Sequence, residues 1–374
     1  TNKMKFSTSK NELQSALQKL SKATPSRSTL PILNSVLISV SENETTIKST
    51  DLEITVIVKM PASIESVGSV AAPLQMLLNI TNELPDEMRV ALEVDVENKI
   101  SISTDYGNYN IVGKPAEEFP NTPTIESEKT INIGSGILKD IIEKTVFAVS
   151  RDDLKPALTG VLFKFQKDNL TAVATDGHRL VKYEKTDNKT DTDLGDIIVP
   201  KKFLNLILSG LGDGDIGLSV GENHLTTMIG EDQYFTRIVD EKFPDFDGVI
   251  PKDNDKNLIV EKKDLLSAVK RVSIFSNKST HQIALNLNSE RVLVSTEDPE
   301  QSTKAKENIK GKYDGEDITV GYNAAYLKDV LSHVDDDEIS VHLKSPISAA
   351  LFLPKNQKDN TNLTMLLMPI RLND

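Results

Sequence analysis

The sequence predicts an α+β fold built from three similar domains, and three observations support this prediction. A Phe-Pro marker, Glu118-Phe119-Pro120, returns 124 residues later as Lys242-Phe243-Pro244. Two kinds of apolar helical stripe recur at nearly the same spacing, and short alternating segments rich in β-branched residues lie around them. The period is too long for a solenoid unit and is typical of a whole domain.

The first helix of each repeat is predicted from apolar residues at i, i+3, i+4 and i+7, which share one helical face. This stripe occurs three times, at Leu13, Ala16, Leu17 and Leu20, at Leu138, Ile141 and Ile142, and at Leu265, Ala268 and Val269. A second helix follows the same rule, at Met76, Leu77 and Ile80, at Phe203, Leu204 and Ile207, and at Tyr326, Leu327 and Val330. The six predicted helical stretches are 10–22, 73–82, 136–147, 201–208, 262–273 and 323–333.

Strands are predicted where apolar and polar residues alternate with period two. Clear examples are residues 36–40, 54–58, 161–165 and 291–295. Each repeat therefore contains a strand, a helix, several strands, a second helix and several further strands. Polar linkers place the predicted domains at residues 1–125, 126–252 and 253–374.

The composition excludes several classes of site. The 374 residues contain no Cys, which rules out disulfides and thiolate chemistry and fits a reducing, cytoplasmic location. No apolar run approaches the ~20 residues that span a bilayer, and the N-terminus lacks a signal-like apolar stretch.

The net charge of −13 argues, taken alone, against a protein that grips nucleic acid. However, the six predicted helical stretches hold 12 basic and 5 acidic residues, so the acidic excess belongs to the rest of the chain. If the helices share one side, that side is basic while the whole molecule is acidic. A structural alternative is that Lys is simply a good helix former.

His178, in Thr175-Asp176-Gly177-His178-Arg179-Leu180, is the most suggestive single residue. Asp176 and His178 could act as an orienting carboxylate and a general base, which would make the protein a hydrolase or isomerase. The segment could equally be a structured turn or a binding surface. The His residues lack the i, i+4 spacing of a helical zinc site, so no metal and no other cofactor are expected.

Two further segments are unusual. The run Asp335, Asp336, Asp337 and Glu338 is either a solvated turn or a loose cation site. The C-terminal segment from Leu366 to Leu372 is apolar almost to the last residue, whereas chain ends are usually polar and frayed. We expect it to be docked, either as a core strand or as one wall of a peptide groove.

The three-fold repeat, the Thr-Asp-Gly-His-Arg-Leu turn and the ending Met368-Pro369-Ile370-Arg371-Leu372 together resemble the bacterial DNA polymerase III beta subunits, the sliding clamps. The segment Thr29-Leu30-Pro31-Ile32-Leu33 is also similar to that family's first domain. The resemblance implies three clamp domains, each with two helices lining a channel and outer β-sheets. It further implies that two chains form a closed ring around double-stranded DNA and that the protein has no catalytic activity.

The resemblance also implies partners and a site that binds them. A clamp tethers the polymerase III alpha subunit and other motif-carrying proteins to DNA, and an ATP-dependent loader opens the ring. The groove that receives the partners' linear motifs would lie between the second and third domains. Its residues by position are Leu158, Thr175, Gly177, His178, Arg179, Leu180, Pro244, Val249, Asn323, Tyr326, Ile347, Leu366, Leu367, Met368, Pro369, Ile370, Arg371 and Leu372.

The resemblance also implies residues that contact DNA and residues that contact a second copy of the chain. The resemblance points to DNA contacts at Arg27, Arg151, Lys155, Lys201 and Lys202, and to a homodimer interface at Tyr109, Ile111, Ile274 and Phe275. The sequence departs from the family pattern at Gln75, Gly248, Thr280 and Ile370, which affects the expected motif preference and one DNA contact. A three-domain adhesion or scaffold protein is the remaining alternative, and it would carry a secretion signal and no basic lining.

Overall fold

The computed structural model describes residues 4–25, 27–124, 129–190 and 192–372. It contains six α-helices of eight or more residues in those ranges: α1 (Lys10–Ser21), α2 (Leu74–Glu83), α3 (Ser135–Thr145), α4 (Lys201–Leu208), α5 (Lys262–Val272) and α6 (Ala324–Ser332). All six predicted helices are confirmed, with ends within two residues of the predicted ones. None of these helices is long and apolar enough to cross a membrane.

The strands follow the predicted order around each helix pair. The first repeat contains β1 (Met4–Ser9), β2 (Ser35–Val40), β3 (Thr45–Thr50), β4 (Ile54–Met60), β5 (Ser63–Ser66), β6 (Gly68–Pro73), β7 (Arg89–Val94), β8 (Lys99–Thr104) and β9 (Gly107–Val112). The second contains β10 (Lys129–Gly134), β11 (Gly160–Gln166), β12 (Asn169–Thr175), β13 (Arg179–Lys185), β14 (Gly195–Pro200), β15 (Asp215–Val220), β16 (His224–Ile229) and β17 (Asp232–Arg237). The third contains β18 (Lys256–Glu261), β19 (Gln282–Leu287), β20 (Val292–Asp298), β21 (Thr303–Ile309), β22 (Gly311–Asp314), β23 (Ile318–Asn323), β24 (Glu338–Leu343), β25 (Ala350–Pro354) and β26 (Thr361–Leu367).

The helices form where the stripes predict them, and side-chain caps mark where two of them begin. Ser9 caps α1 by accepting a hydrogen bond from the Glu12 N–H at 3.2 Å. The stripe residues Leu13 and Leu17 are at most 1% exposed. In α6 the Asn323 side chain plays the same capping role by accepting from the Ala325 N–H at 2.9 Å. Local sequence therefore sets where these helices begin, and burial of the stripe fixes which face turns inward.

Two compact units emerge from the packing. The first unit comprises residues 1–135 and 205–238, and the second comprises residues 136–204 and 239–374. The first unit contains a five-stranded sheet in the order β5-β1-β7-β8-β9 and an eight-stranded sheet in the order β10-β15-β16-β17-β4-β3-β2-β6. The second unit contains a nine-stranded sheet in the order β14-β11-β12-β13-β26-β25-β24-β18-β22 and a four-stranded sheet in the order β21-β20-β19-β23.

The two large sheets join strands from different repeats. In the first unit β17 pairs antiparallel with β4, from Gln233 opposite Ile57 to Thr236 opposite Ile54. In the second unit β13 pairs with β26 over seven residues. The sequence periodicity does not indicate these pairings, because alternation shows which side of a strand is buried and not which strand lies beside it. The predicted boundary at 125/126 lies outside the described residues.

Candidate functional site

The turn between β12 and β13 is built by its own side chains. The Asp176 carboxylate accepts hydrogen bonds from the main-chain N–H groups of His178, at 2.9 Å, and Arg179, at 3.0 Å. Thr175 Oγ1 accepts from the Gly177 N–H and donates to the Arg179 carbonyl at 2.7 Å. Gly177 has φ +89°, which a residue with a side chain rarely adopts. The sequence Thr-Asp-Gly therefore dictates a rigid turn that presents His178.

This arrangement does not support the base-and-orienter interpretation of Asp176 and His178. The second oxygen of Asp176 accepts from Arg179 Nε at 3.2 Å, so both carboxylate oxygens are used within the turn. The exposed His178 ring instead stacks on Tyr326, with ring centroids 5.5 Å apart and planes 24° apart. The turn thus presents a flat aromatic surface beside α6.

The C-terminal segment is docked, and its first part forms the core strand that was one of the two alternatives left open by the sequence. Residues 361–367 form β26, a core strand paired with β13 from Arg179 opposite Leu367 to Lys185 opposite Thr361. The segment then leaves the large sheet. The Met368 N–H donates to the His178 carbonyl at 2.9 Å, and the Ile370 N–H donates to the Gly321 carbonyl of β23 at 2.8 Å.

A buried apolar cluster, here named the floor, includes Leu366 of this segment. Its buried members come from six strands and from the stretch before β18; they are Leu162, Val173, Leu180, Ile198, Phe243, Phe246, Leu351 and Leu366. The partly buried Leu158 and Ile250 pack against them. Three apolar side chains that lie within three residues of the floor's members along the chain, or of residues packed against it, are strongly exposed: Val249 at 57%, Ile347 at 69% and Met368 at 42%. Exposed apolar side chains over an apolar floor are typical of a surface that binds a partner.

All predicted groove residues lie in the second unit, and they fall into three groups by solvent exposure. Gly177, His178, Pro244, Val249, Ile347, Met368 and Arg371 are exposed, whereas Thr175, Arg179, Leu180, Leu366 and Leu367 are buried. Leu158, Asn323, Tyr326, Pro369, Ile370 and Leu372 are half-buried. Sequence reasoning missed the deeper floor, above all Phe243 and Phe246. A signal for Phe243 was present in the sequence, because this residue belongs to the repeated Phe-Pro marker.

The predicted DNA residues are solvent-facing. Arg27, Arg151, Lys155 and Lys202 are exposed and Lys201 is half-buried. Burial and the nearby positive charge of Arg151 and Arg179 lower the pKa of Lys201, and the carboxylate of Asp329 opposes this effect. The positive charge of Arg151 therefore acts on Lys201, although burial is the larger cause of the lowered pKa.

The predicted interface residues lie on sheet edges or beside them. Tyr109 and Ile111 are half-buried on β9, the last strand of the five-stranded sheet. Ile274 and Phe275 follow α5 and are 66% and 43% exposed. The Phe275 carbonyl accepts from Thr303 Oγ1 of β21, the outermost strand of the four-stranded sheet.

The acidic run that leads into β24 forms ion pairs at its two ends. Asp335 pairs with Lys144 and, at 2.6 Å, with Lys358, while Glu338 pairs with Lys355. Burial alone would raise the pKa of the Asp335 carboxyl, but hydrogen bonds from Lys144 and Lys358 hold that pKa below its ordinary value. Across the described ranges, no group of three or more His, Cys, Asp or Glu residues is arranged to hold a metal ion. Lysines therefore pair with the two ends of the run, whereas Asp336 accepts a hydrogen bond from the Asn356 N–H at 2.7 Å.

Comparisons with known proteins match the whole chain. Three family models are matched in order: DNA polymerase III beta subunit, N-terminal domain, at residues 4–123, its central domain at 132–245, and its C-terminal domain at 247–371. A beta sliding clamp of Pseudomonas putida is 30% identical over 373 residues, covering 99% of this chain and 100% of the relative. A beta sliding clamp of Vibrio cholerae is 30% identical over 374 residues, with the same coverage.

Solved structures give the same result. The DNA polymerase sliding clamp of Bacillus subtilis superposes with a TM-score of 0.93 at 27% identity, covering 99% of this chain and 100% of that one. The sliding clamp of Pseudomonas aeruginosa, bound to griselimycin, superposes with a TM-score of 0.90 at 28% identity and the same coverage.

Proposed function

The chain belongs to the DNA polymerase III beta subunits, the DNA sliding clamps of replication, and from this premise we propose how its own residues capture partners, enclose DNA and pair with a second copy. We infer three domains at residues 1–125, 126–252 and 253–374. We assign the protein no catalytic step of its own and a cytoplasmic location beside the replicating chromosome.

We propose that the apolar surface below Met368 and Tyr326 binds a short linear motif of the polymerase and of other partners. The observation that carries this assignment is the exposure of the apolar side chains of Val249, Ile347 and Met368, together with a buried apolar floor that includes Phe246. Burying apolar side chains of a peptide on this floor would supply most of the affinity, at about 25 cal/mol per Å². Met368 can adapt to several side-chain shapes, which suits a surface that serves many partners.

Peptide capture tests this assignment. A fluorescein-labelled peptide from the C-terminal region of a polymerase alpha subunit is titrated with the protein and followed by fluorescence anisotropy. Changing Tyr326→Ala and Met368→Ala together should raise the Kd at least about 30-fold, because an aromatic anchor and an adaptable apolar contact are both lost. Met228→Ala is the matched control, since Met228 is similarly exposed, at 53%, on β16. Unchanged affinity in the double variant would remove the groove assignment.

We propose that the basic residues Arg27, Arg151, Lys155, Lys201 and Lys202 face duplex DNA without sequence preference. A closed ring does not need strong phosphate contacts to stay on DNA, and weak contacts permit sliding. An acidic remainder discourages binding of DNA elsewhere on the surface. Once its loader has placed it on nicked circular DNA, the protein should therefore be retained there and should be lost when the same DNA is linearised. Equal retention on both forms would contradict enclosure.

We propose that two copies associate head to tail. The edge strands β9 and β21 can each extend a sheet by pairing with another chain, since an edge strand presents main-chain donors and acceptors. Tyr109 and Ile111 on one chain and Ile274 and Phe275 on the other would form a small apolar core. Such a ring needs an ATP-dependent loader to open it.

A further inference from the structure

A column of stacked side chains runs from the proposed groove along one face of α6. The His178 ring stacks on Tyr326, and the guanidinium carbon of Arg179 lies 4.6 Å from the Tyr326 ring centroid. The same carbon lies 5.3 Å from the centroid of Phe147. Phe147 in turn stacks on His333, with centroids 3.9 Å apart and planes 11° apart. One cation therefore lies between two aromatic rings, and a histidine closes each end.

The Arg179 guanidinium is bound by protein groups in three directions. Nε donates to Asp176 at 3.2 Å, Nη1 donates to Asp329 at 2.5 Å, and Nη2 donates to the Phe147 carbonyl at 2.9 Å. The side chain is only 9% exposed. A buried charge is tolerated when it is paired and hydrogen-bonded in this way. Arg179 therefore differs from His178, whose ring faces solvent.

These contacts connect the two walls of the groove. Arg179 directly follows the turn that presents His178, and Asp329 lies one helical turn after Tyr326 on α6. The planar guanidinium fixes both distance and orientation, because it pairs with carboxylates edge-on and packs its faces on aromatic rings. His333, which directly follows α6 as its C-cap, contacts the Asp329 carbonyl through Nδ1 at 2.6 Å.

We propose that Arg179 is a positioning residue of the groove, which holds Tyr326 and the His178 turn in the peptide-binding arrangement without contacting the peptide. This inference rests on the groove assigned above and specifies which residues shape it. Phe147, Asp329 and His333 are then parts of the same device, although they do not line the groove. If the device is weakened, a smaller fraction of molecules has the binding arrangement, and the apparent Kd rises in inverse proportion to that fraction.

The test changes residues of the column outside the groove. Asp329→Asn removes the ion pair while keeping the shape, and Phe147→Leu removes one ring. Each should raise the Kd of the labelled polymerase peptide about tenfold, as a competent fraction near one in ten would give. Phe147→Tyr keeps the ring face and should retain affinity. Arg237→Lys is the control, because Arg237 makes an exposed pair with Glu53 in the first unit.

Two further measurements separate positioning from direct contact. In a double-mutant cycle, Arg179→Lys combined with Asp329→Asn should lose little more than either change alone, since both disturb one device. In stopped-flow experiments the loss should appear mainly in the association rate, because fewer molecules are competent to bind, whereas a lost peptide contact appears in dissociation. Melting temperatures recorded for each variant show that the rates come from folded protein.

The results have distinct meanings. If Arg179→Lys weakens binding while Asp329→Asn and Phe147→Leu leave it unchanged, Arg179 is a direct peptide ligand and the positioning role is wrong. If those three variants and the Tyr326 and Met368 double variant all bind normally, the groove assignment itself fails. The inference would also be overturned if the losses of binding free energy in Arg179→Lys and Asp329→Asn add in the double variant and arise from faster dissociation.

Discussion

Gly321 offers a direct way to displace the docked C-terminal segment. A Cβ at this position of β23 would lie 2.6 Å from Leu372 Cδ2 and 2.8 Å from the Ile370 carbonyl oxygen. Atoms essentially never approach this closely, and a main-chain oxygen cannot rotate away as a side chain can. Gly321→Ala should therefore push the segment off the strand and weaken the hydrogen bond between the Ile370 N–H and the Gly321 carbonyl.

The magnitude follows from overpacking. Forcing one extra methyl into a closely packed site costs about 1–3 kcal/mol. If the whole cost falls on the groove wall formed by this segment, the peptide Kd rises about five-fold to 150-fold, at 1.4 kcal/mol for each factor of ten. We would measure peptide affinity by anisotropy and the hydrogen exchange of the Ile370 amide by mass spectrometry, and we expect faster exchange in the variant.

Gly217→Ala is the matched control for this change. Gly217 also lies within a strand, β15, but a Cβ there would meet its nearest neighbours at 3.5 and 3.8 Å, which is ordinary contact. It should leave both peptide affinity and exchange at Ile370 unchanged. If Gly321→Ala behaves like Gly217→Ala, the close packing of the segment on β23 does not shape the groove and our reasoning is refuted.

Three other predictions concern different parts of the molecule. Phe275→Asp should convert a dimer to monomers in analytical ultracentrifugation, because it places a charge in the proposed apolar interface; a persisting dimer would rule that interface out. The lowered pKa of the Asp335 carboxyl means that its pairs with Lys144 and Lys358 stabilise the fold above the ordinary Asp pKa of about 3.9 and are lost as pH falls through the lowered value. The melting temperature of the wild type should thus fall more steeply below about pH 4 than that of Asp335→Asn, and parallel curves would contradict the assignment. Arg151→Glu should weaken binding to a short DNA duplex and should reduce the slope of log K against log salt concentration by about one phosphate contact. An unchanged slope would argue against a phosphate contact at Arg151.

The local parts of the fold were predictable from sequence. The helical stripes and the caps at Ser9 and Asn323 act within a few residues, so helix ends could be placed closely. The pairing of β17 with β4 and of β13 with β26 could not be predicted from sequence, because each pairing joins segments far apart in the chain. The alternation of apolar and polar residues is equally compatible with other neighbouring strands.

The candidate site divides in the same way. The turn around Gly177 and the apolar ending were visible as motifs, since each has an unusual local composition. The inward direction of the Arg179 side chain was not visible in the sequence, because it depends on Asp329 and Phe147 in other parts of the chain. The competing interpretation of Asp176 and His178 as a catalytic pair was resolved only by finding both carboxylate oxygens used within the turn.

The pairing of β13 with β26 has a consequence for the making of the protein. Arg179, in the middle of the chain, receives its strand neighbour Leu367 only after almost the whole polypeptide has left the ribosome. A nascent chain that ends before residue 361 can still form the eight-stranded sheet, whose last strand closes at Arg237, but it has no β26 and no segment to cover β23. Prematurely terminated chains would then lack the surface proposed to recruit the polymerase. They would therefore not compete with complete chains for binding the polymerase.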